Sequence, residues 1–213
     1  MKTIQLNRWI VILAGLVLAG CGNPADKVPK AQVSSSANGA TTASDATGGP
    51  SYVFNESNSS IQFVGSKVTG HHDGGFKKFS GQLKVDGDKL ANTGNKVEID
   101  MASLWADNEK LTGHLKTADF FNVAQFPTST FETTEIKPNG TNSTVTGNLT
   151  MHGITKQISF PATIKVTPES VDVDGDFSIN RMDFDVKYAG MPNDLIRKDV
   201  KLKLKVKAVP AKA

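Results

Sequence analysis

The chain has 213 residues, 38% hydrophobic and 21% charged, with a single cysteine and a formal net charge of +3. One cysteine excludes a disulfide framework. Setting aside Lys2 and Arg8 at the start leaves 22 basic residues against 21 acidic ones; such a near-neutral balance removes net charge as an argument for nucleic-acid binding.

Lys2 and Arg8 precede an apolar run, Trp9 to Leu18, far shorter than the roughly 20 residues that cross a bilayer. It ends in Leu18-Ala19-Gly20-Cys21, followed by polar Gly22-Asn23-Pro24. Small residues before a cleavage point mark a secretory signal. A cysteine directly after Leu-Ala-Gly resembles the bacterial lipobox, so residues 1–20 are expected to be a lipoprotein signal peptide and Cys21 the acylated, palmitate-bearing residue. An exported lipoprotein on the periplasmic side of a membrane follows from that. Gly22, rather than Asp, resembles outer-membrane lipoproteins under the enterobacterial sorting rule. Acylation of Cys21 would leave the mature chain without a thiol for a disulfide, a nucleophile or a metal.

The rest of residues 21–50 is mostly Ala, Ser, Thr, Gly, Pro and Asn. Such a composition buries too little apolar surface to offset its ordering entropy. A flexible tether is expected there, holding the following domain on the order of 30 Å from its anchor.

From Ser51 the dominant signal is alternation of period two, the mark of half-buried strands. Phe79, Gly81, Leu83 and Val85 share one face; Val97, Ile99 and Met101 share the next. Val145, Gly147, Leu149 and Met151 alternate with polar residues, as do Ile158, Phe160, Ala162, Ile164 and Val166. Val171, Val173, Gly175, Phe177 and Ile179 oppose three aspartates, and Val200, Leu202, Leu204 and Val206 oppose four lysines. The lysine face reads as a solvated surface that also discourages edge pairing. Asp86-Gly87-Asp88, Pro138-Asn139-Gly140, His152-Gly153 and Thr167-Pro168-Glu169 mark turns between the strands. With Ile61–Thr69 and Thr128–Ile136, about eight strands emerge, an all-β antiparallel barrel or sandwich occupying residues 51–208. Residues 209–213 are expected to be a short tail. Gly81, Gly147 and Gly175 on inward faces either leave room inside or mark bends.

Leu104 to Phe121 alone has helical character, from Leu104, Leu111 and Leu115. Directly after it, Phe120, Phe121, Phe126 and Phe131 place four of the chain's eleven phenylalanines within twelve residues. Pro127 turns the chain extended there. A dense aromatic insertion between strands is expected to cover one end of a barrel, as a plug or as a cavity wall.

Candidates for chemistry are few. His71-His72-Asp73 lies among glycines and reads as a loop rather than a metal site. His114 and Asp119 are spaced for an acid/base pair, and His152 reads as a hairpin residue. Neither a Gly-x-Ser-x-Gly elbow nor a phosphate loop occurs. Arg181 shares parity with Val171 to Ile179, which points it inward. A buried guanidinium without a partner is costly, so the strand either bulges near Asn180 or Arg181 meets an anion. Asp183, Asp185 or a helix carboxyl end could supply one; so could the phosphate or polar head of a ligand at a cavity mouth.

Taken together, Phe63-Val-Gly-Ser-Lys-Val, Gly75-Phe-Lys-Lys-Phe-Ser-Gly81, Leu111-Thr-Gly-His-Leu-Lys-Thr-Ala-Asp-Phe-Phe121, Phe126-Pro-Thr-Ser-Thr-Phe131, Val145-Thr-Gly-Asn-Leu-Thr-Met-His-Gly-Ile-Thr-Lys156 and Ile179-Asn-Arg-Met-Asp-Phe184 resemble the YceI-like family of bacterial lipid- and polyisoprenoid-binding proteins. The resemblance runs in order from Ser51 to Ala208. It implies a lipocalin-like, eight-stranded antiparallel barrel with a short helical insertion covering one end. It also implies a periplasmic protein whose interior holds an isoprenoid chain, a quinone tail or a fatty-acyl amide. Two positions depart from the family pattern. Leu111-Thr112-Gly113 stands where many members have Arg-Asp before His-Leu, and Asn122 stands where many have Asp after Phe-Phe.

The expected function is therefore non-catalytic lipid binding by a membrane-tethered carrier or scavenger, with no cofactor beyond the bound lipid. Its expected partners are a hydrophobic lipid, the membrane through the acyl anchor and, as one option, a second copy in a homodimer. The expected lining is Phe79, Val97, Trp105, Leu115 and Phe121, together with Phe131, Leu149, Phe160, Phe177 and Arg181. Two alternatives stay open: a filled barrel serving as a protein-interaction module, and a lipid-modifying enzyme using His114 and Asp119.

Overall fold

A computed structural model describes residues 22–35 and 49–212. The leader, Cys21 and the middle of the expected tether lie outside the described residues. The strands, in chain order, are β1 (Gln32–Ser35), β2 (Ser51–Asn55), β3 (Ser60–Lys67), β4 (Gly70–Phe76), β5 (Phe79–Asp86), β6 (Lys89–Leu90), β7 (Lys96–Asp100) and β8 (Leu104–Ala106). After helix α1 (Glu109–Leu115) come β9 (Thr128–Asn139), β10 (Asn142–Met151), β11 (Ile154–Val166), β12 (Val171–Asn180), β13 (Gly190–Met191), β14 (Asp194–Leu195) and β15 (Asp199–Pro210).

Three pairs of these strands continue one another around a bend: β2 with β3, β4 with β5, and β7 with β8. Counted as single staves, they are followed by β9, β10, β11, β12 and β15, and β15 pairs back onto β2 and β3. The result is a closed eight-stranded antiparallel barrel, as the alternation and the family resemblance imply. Tight turns close the hairpins where the sequence marks them. At His152-Gly153 both residues have positive φ, 52° and 74°, the primed geometry that matches strand twist.

Inward faces carry the alternating apolar residues. Phe160 and Phe177, from β11 and β12, stack with centroids 4.1 Å apart, and Phe131 of β9 tilts onto Phe160 at 5.6 Å. The lysines of β15 stay outside, Lys203, Lys205 and Lys207 exposed and Lys201 paired with Asp176. Two of the three inward glycines are seats for rings rather than free space. A Cβ on Gly81 would come 2.1 Å from the ring of Phe54, its register partner, and one on Gly147 would come 2.5 Å from the ring of Phe131. At Gly175 a Cβ would meet Leu204 and Phe177 at 3.6 Å, an ordinary packing contact.

One end of the barrel is shut by Tyr52, Phe54, Leu83, Val85, Val171 and Ala208, the last two fully buried. The Tyr52 hydroxyl donates to the Thr167 and Pro168 carbonyls and ties the β11–β12 turn over that end. The other end carries α1 and the aromatic segment, packed with the loop between β12 and β15.

Four expectations need correction. The helix covers only Glu109–Leu115, begun by the Asn108 side chain accepting from the Leu111 N–H. Leu104 and Trp105 belong instead to β8, opposite Phe76 and Gly75; pairing with β4 overrides their helical spacing. His71-His72-Asp73 lies within β4 rather than in a loop, and the pleat sends the imidazoles to opposite faces. His72 Nδ1 is 2.8 Å from Asp107 Oδ1. The C-terminal tail starts later than expected, because Val209 and Pro210 pair with Val53 and Tyr52.

The fourth correction concerns the tether. Residues 22–35 are not a free coil. Asn23 caps a 3-10 turn over Pro24–Lys27, with Ala25 buried, and β1 pairs in antiparallel register with Lys156 to Ser159 of β11. Burial of two small alanines, rather than of any large apolar group, explains why composition gave no sign of it.

A buried polar knot locks β5 to β9 through the turn before β7. The Asn95 side chain, 3% exposed, accepts from the Lys84 N–H and donates to the Ala91 carbonyl and the Thr133 hydroxyl. Replacing it by Ala strands those groups, and unsatisfied buried partners cost about 1–3 kcal/mol. Asn95→Ala is expected to lower unfolding free energy by about 2–3 kcal/mol in urea titration, with the far-ultraviolet β signature of the native state retained.

Candidate functional site

Between the two shut ends lies an apolar cavity of about 200 Å³. Its walls come from nearly every stave. Phe63, Val97, Phe131, Leu149, Phe160, Phe177, Leu202 and Leu204 face it, and Leu115, Phe120, Phe121, Val186 and Ile196 cover it from the lid end. Ser129 and Arg181 supply its polar edges. The several half-exposed inward residues of β15, such as Leu202 and Leu204, owe that exposure to the cavity they face.

Of the ten residues expected at the ligand, eight border this space: Val97, Leu115, Phe121, Phe131, Leu149, Phe160, Phe177 and Arg181. Phe79 does not. It points inward as its parity requires, but it packs on Phe54 in the shut end, with ring centroids 6.4 Å apart. Trp105 does not line it either, since its indole covers Gly75 on the neighbouring strand. Alternation fixes the face of a residue and says nothing of its height along the barrel axis. Phe63, Leu202 and Leu204 were readable from the same alternation and belong to the lining.

The lid holds together through aromatic edges. His114 sits 5.0 Å from both Phe120 and Tyr188, and Phe120 is 4.9 Å from Tyr188. His114 Nε2 lies 3.0 Å from Asp119 Oδ2, so the expected pair does form, at the exposed rim rather than on the cavity wall. Asn122 takes a left-handed φ of 44°, a conformation that Asn tolerates better than most residues. The turn it makes lets Phe120 and Phe121 face inward while Phe126 packs on His152, 4.7 Å between centroids.

Among the described residues, Arg181 is the one charged group on the cavity. The strand ends at Asn180, whose side chain caps a 3-10 turn over Arg181–Phe184, and Arg181 as a residue is 7% exposed. Neither Asp183 nor Asp185 is its partner, contrary to the structural option read from the sequence; Asp185 pairs with Lys187 instead. Three backbone carbonyls accept its hydrogen bonds: Arg197 at 3.1 Å from Nε, Ile196 at 3.4 Å from Nη2, and Val186 close to Nη1. Burial pushes its pKa below the ordinary guanidinium value. Carbonyl dipoles satisfy hydrogen bonds without neutralising the charge, so an apolar chamber retains an uncompensated cation at one edge.

A closed antiparallel barrel of eight strands around an apolar chamber, covered at one end by an aromatic lid, defines a lipocalin-like barrel fold. The chain is more specifically a member of the YceI-like family: the YceI-like domain pattern matches residues 52–208. An UPF0312 protein of Pseudomonas putida strain F1 is 31% identical over 134 residues, which cover 60% of this chain and 70% of that protein. Among solved structures, BcnA of Burkholderia cenocepacia superposes with a TM-score of 0.63 at 27% identity, covering 71% of this chain and 96% of its own. A polyisoprenoid-binding domain from Saccharophagus degradans shares the fold at TM-score 0.62 and 16% identity, covering 77% and 100%.

The stacked pair Phe160–Phe177 is the rigid wall of the chamber. Phe→Ala at such a core position costs about 3–5 kcal/mol. Phe177→Ala is expected to fall in that range by thermal and urea unfolding, whereas Phe121→Ala, on the partly exposed lid, is expected to cost less than half as much.

Proposed function

We propose that the protein is a non-catalytic carrier or scavenger of a long-chain lipid, held by acylated Cys21 on the periplasmic side of the outer membrane. The observation that carries the reading is the apolar chamber with one cation, Arg181, at its edge. Its shared fold with a polyisoprenoid-binding domain supports a polyisoprenoid as the guest; a quinone tail or a fatty-acyl amide would meet the same apolar walls. Each methylene removed from water contributes about 0.8 kcal/mol, so a dozen buried groups give roughly 10 kcal/mol gross before association costs. Arg181 offers the guest's polar head a charge already stripped of water.

The volume sets a condition on this reading. An apolar cavity of about 150 Å³ takes a benzene ring, so about 200 Å³ admits little more than one such group. A long chain needs the interior to widen. The same small volume is the observation that favours the second reading, a filled barrel that binds a protein partner through its outer face.

Filling the chamber separates the two. Leu204 lines the chamber, so Leu204→Phe pushes a ring into it and is expected to fold at an overpacking cost of about 1–3 kcal/mol. Lipid recovered by organic extraction of the purified full chain should drop at least fivefold. Equal recovery from wild type and Leu204→Phe, or no lipid from either, would favour the filled module. For the polar head, Arg181→Met is expected to erase the preference for a polyprenyl phosphate over its neutral alcohol in competition binding. If wild type shows no such preference, the head-group role of Arg181 is wrong. Cys21→Ser is expected to move the chain from the membrane fraction to the soluble periplasmic fraction.

A further inference from the structure

The barrel wall is incomplete between β11 and β12. Their register pairs run only from Ala162 with Gly175 to Val166 with Val171, near the shut end. Beyond that point the two strands part towards the lid, and the gap holds residues 29–35. Gln32 to Ser35 pair with Ser159 to Lys156 on one side. On the other, the Ala31 N–H donates to the Ser178 carbonyl at 2.8 Å and the Ser178 N–H to the Pro29 carbonyl at 2.9 Å. Ala31, 4% exposed, faces the core together with Val33, against the cluster of Ile158, Phe160, Phe177 and Ile179. Those four residues also line the chamber. The segment is therefore a short wedge set into the wall, with the lipid chamber directly behind its neighbours.

The wedge buries less apolar surface than the lid. Its inward anchors are an alanine and a partly buried valine, and its ion pair among the described residues joins a half-exposed Lys30 to the part-buried Asp199 at 2.7 Å. The lid, by contrast, buries Leu104, Leu115, Phe120 and Val186 and is pinned by the three carbonyl contacts of Arg181. Segments with few buried apolar contacts open first in a folded protein. Small side chains are also what a removable strand needs, because little apolar surface meets water when it leaves. Both flanking strands keep pairing on their far sides, β11 with β10 and β12 with β15, so the barrel remains standing.

We propose that the slot filled by residues 29–35 is a lateral portal for an apolar lipid chain, closed by the chain's own N-terminal strand. This rests on the lipid-binding reading and supplies the widening that a chamber of about 200 Å³ requires. Residue 29 lies eight positions after Cys21, so an acyl anchor there would hold the slot near the bilayer from which the lipid comes. The chain then passes sideways into the chamber between β11 and β12, without displacement of the aromatic lid.

The test locks the wedge. Ser34 and Gln157 are register partners on the face turned away from the core, and Ser34→Cys with Gln157→Cys joins them by a disulfide. Full-length chain in phosphatidylcholine vesicles is mixed with cis-parinaric acid, an apolar polyene, and uptake is followed by energy transfer from Trp105. The disulfide is expected to slow uptake at least tenfold, with reductant restoring the rate and equilibrium binding unchanged. Equal rates in locked and reduced protein would overturn the portal. Absence of uptake in wild type would instead overturn the lipid-binding reading. Amide hydrogen exchange then still judges the wedge: Ala31 and Ser178 should exchange together and at least tenfold faster than Val186 and Ile196 in the lid. Slower exchange at Ala31 and Ser178 would overturn it without any lipid.

Discussion

An eight-stranded barrel encloses room for side chains or for one small ligand, so every ring placed inside subtracts from the space left for a guest. This chain places many. Phe131, Phe160 and Phe177 form a continuous wall, Phe54 and Phe131 occupy the hollows over Gly81 and Gly147, and Phe120 and Phe121 come down from the lid. What remains is about 200 Å³. Closure forces the outcome, because a closed sheet has no edge along which to expand. The aromatic run is thus both plug and wall, and widening has to come from a place where closure is imperfect. The splayed strands β11 and β12 are such a place.

The second constraint is the charge of Arg181. A guanidinium this deeply buried is expensive, and the three carbonyl contacts keep it solvated by dipoles without removing its charge. Its position explains two features at once. It staples the loop between β12 and β15 over the barrel end, and it leaves one polar edge in a chamber that is otherwise apolar. The proposed guest, a long chain with a polar end, would meet that edge.

The barrel itself was legible in the sequence because the pleat imposes period two on every half-buried strand. The lysines of β15 and the phenylalanines at 160 and 177 fall on opposite sides for that reason alone. Turn chemistry at His152-Gly153 was equally readable, as left-handed φ at both positions demands such a pair. Other features lacked a local signal. Phe79 and Phe177 have the same parity and stand at different depths, which only the closed three-dimensional sheet decides. Leu104, Leu111 and Leu115 keep helical spacing although Leu104 pairs with Phe76 in a sheet, so tertiary pairing won over local pattern. The wedge at residues 29–35 was invisible because its burial depends on a gap between strands more than a hundred residues away, filled by an alanine that carries no hydrophobic periodicity.

The central claim is that the chamber is built to hold a lipid chain. Native mass spectrometry of the full chain, released gently from the membranes in which it is made, tests it most directly. The account predicts a population carrying one additional lipid-sized mass that is shed as collision energy rises. The bare mass of the chain as the sole species, under conditions that preserve a known lipid complex, would contradict it.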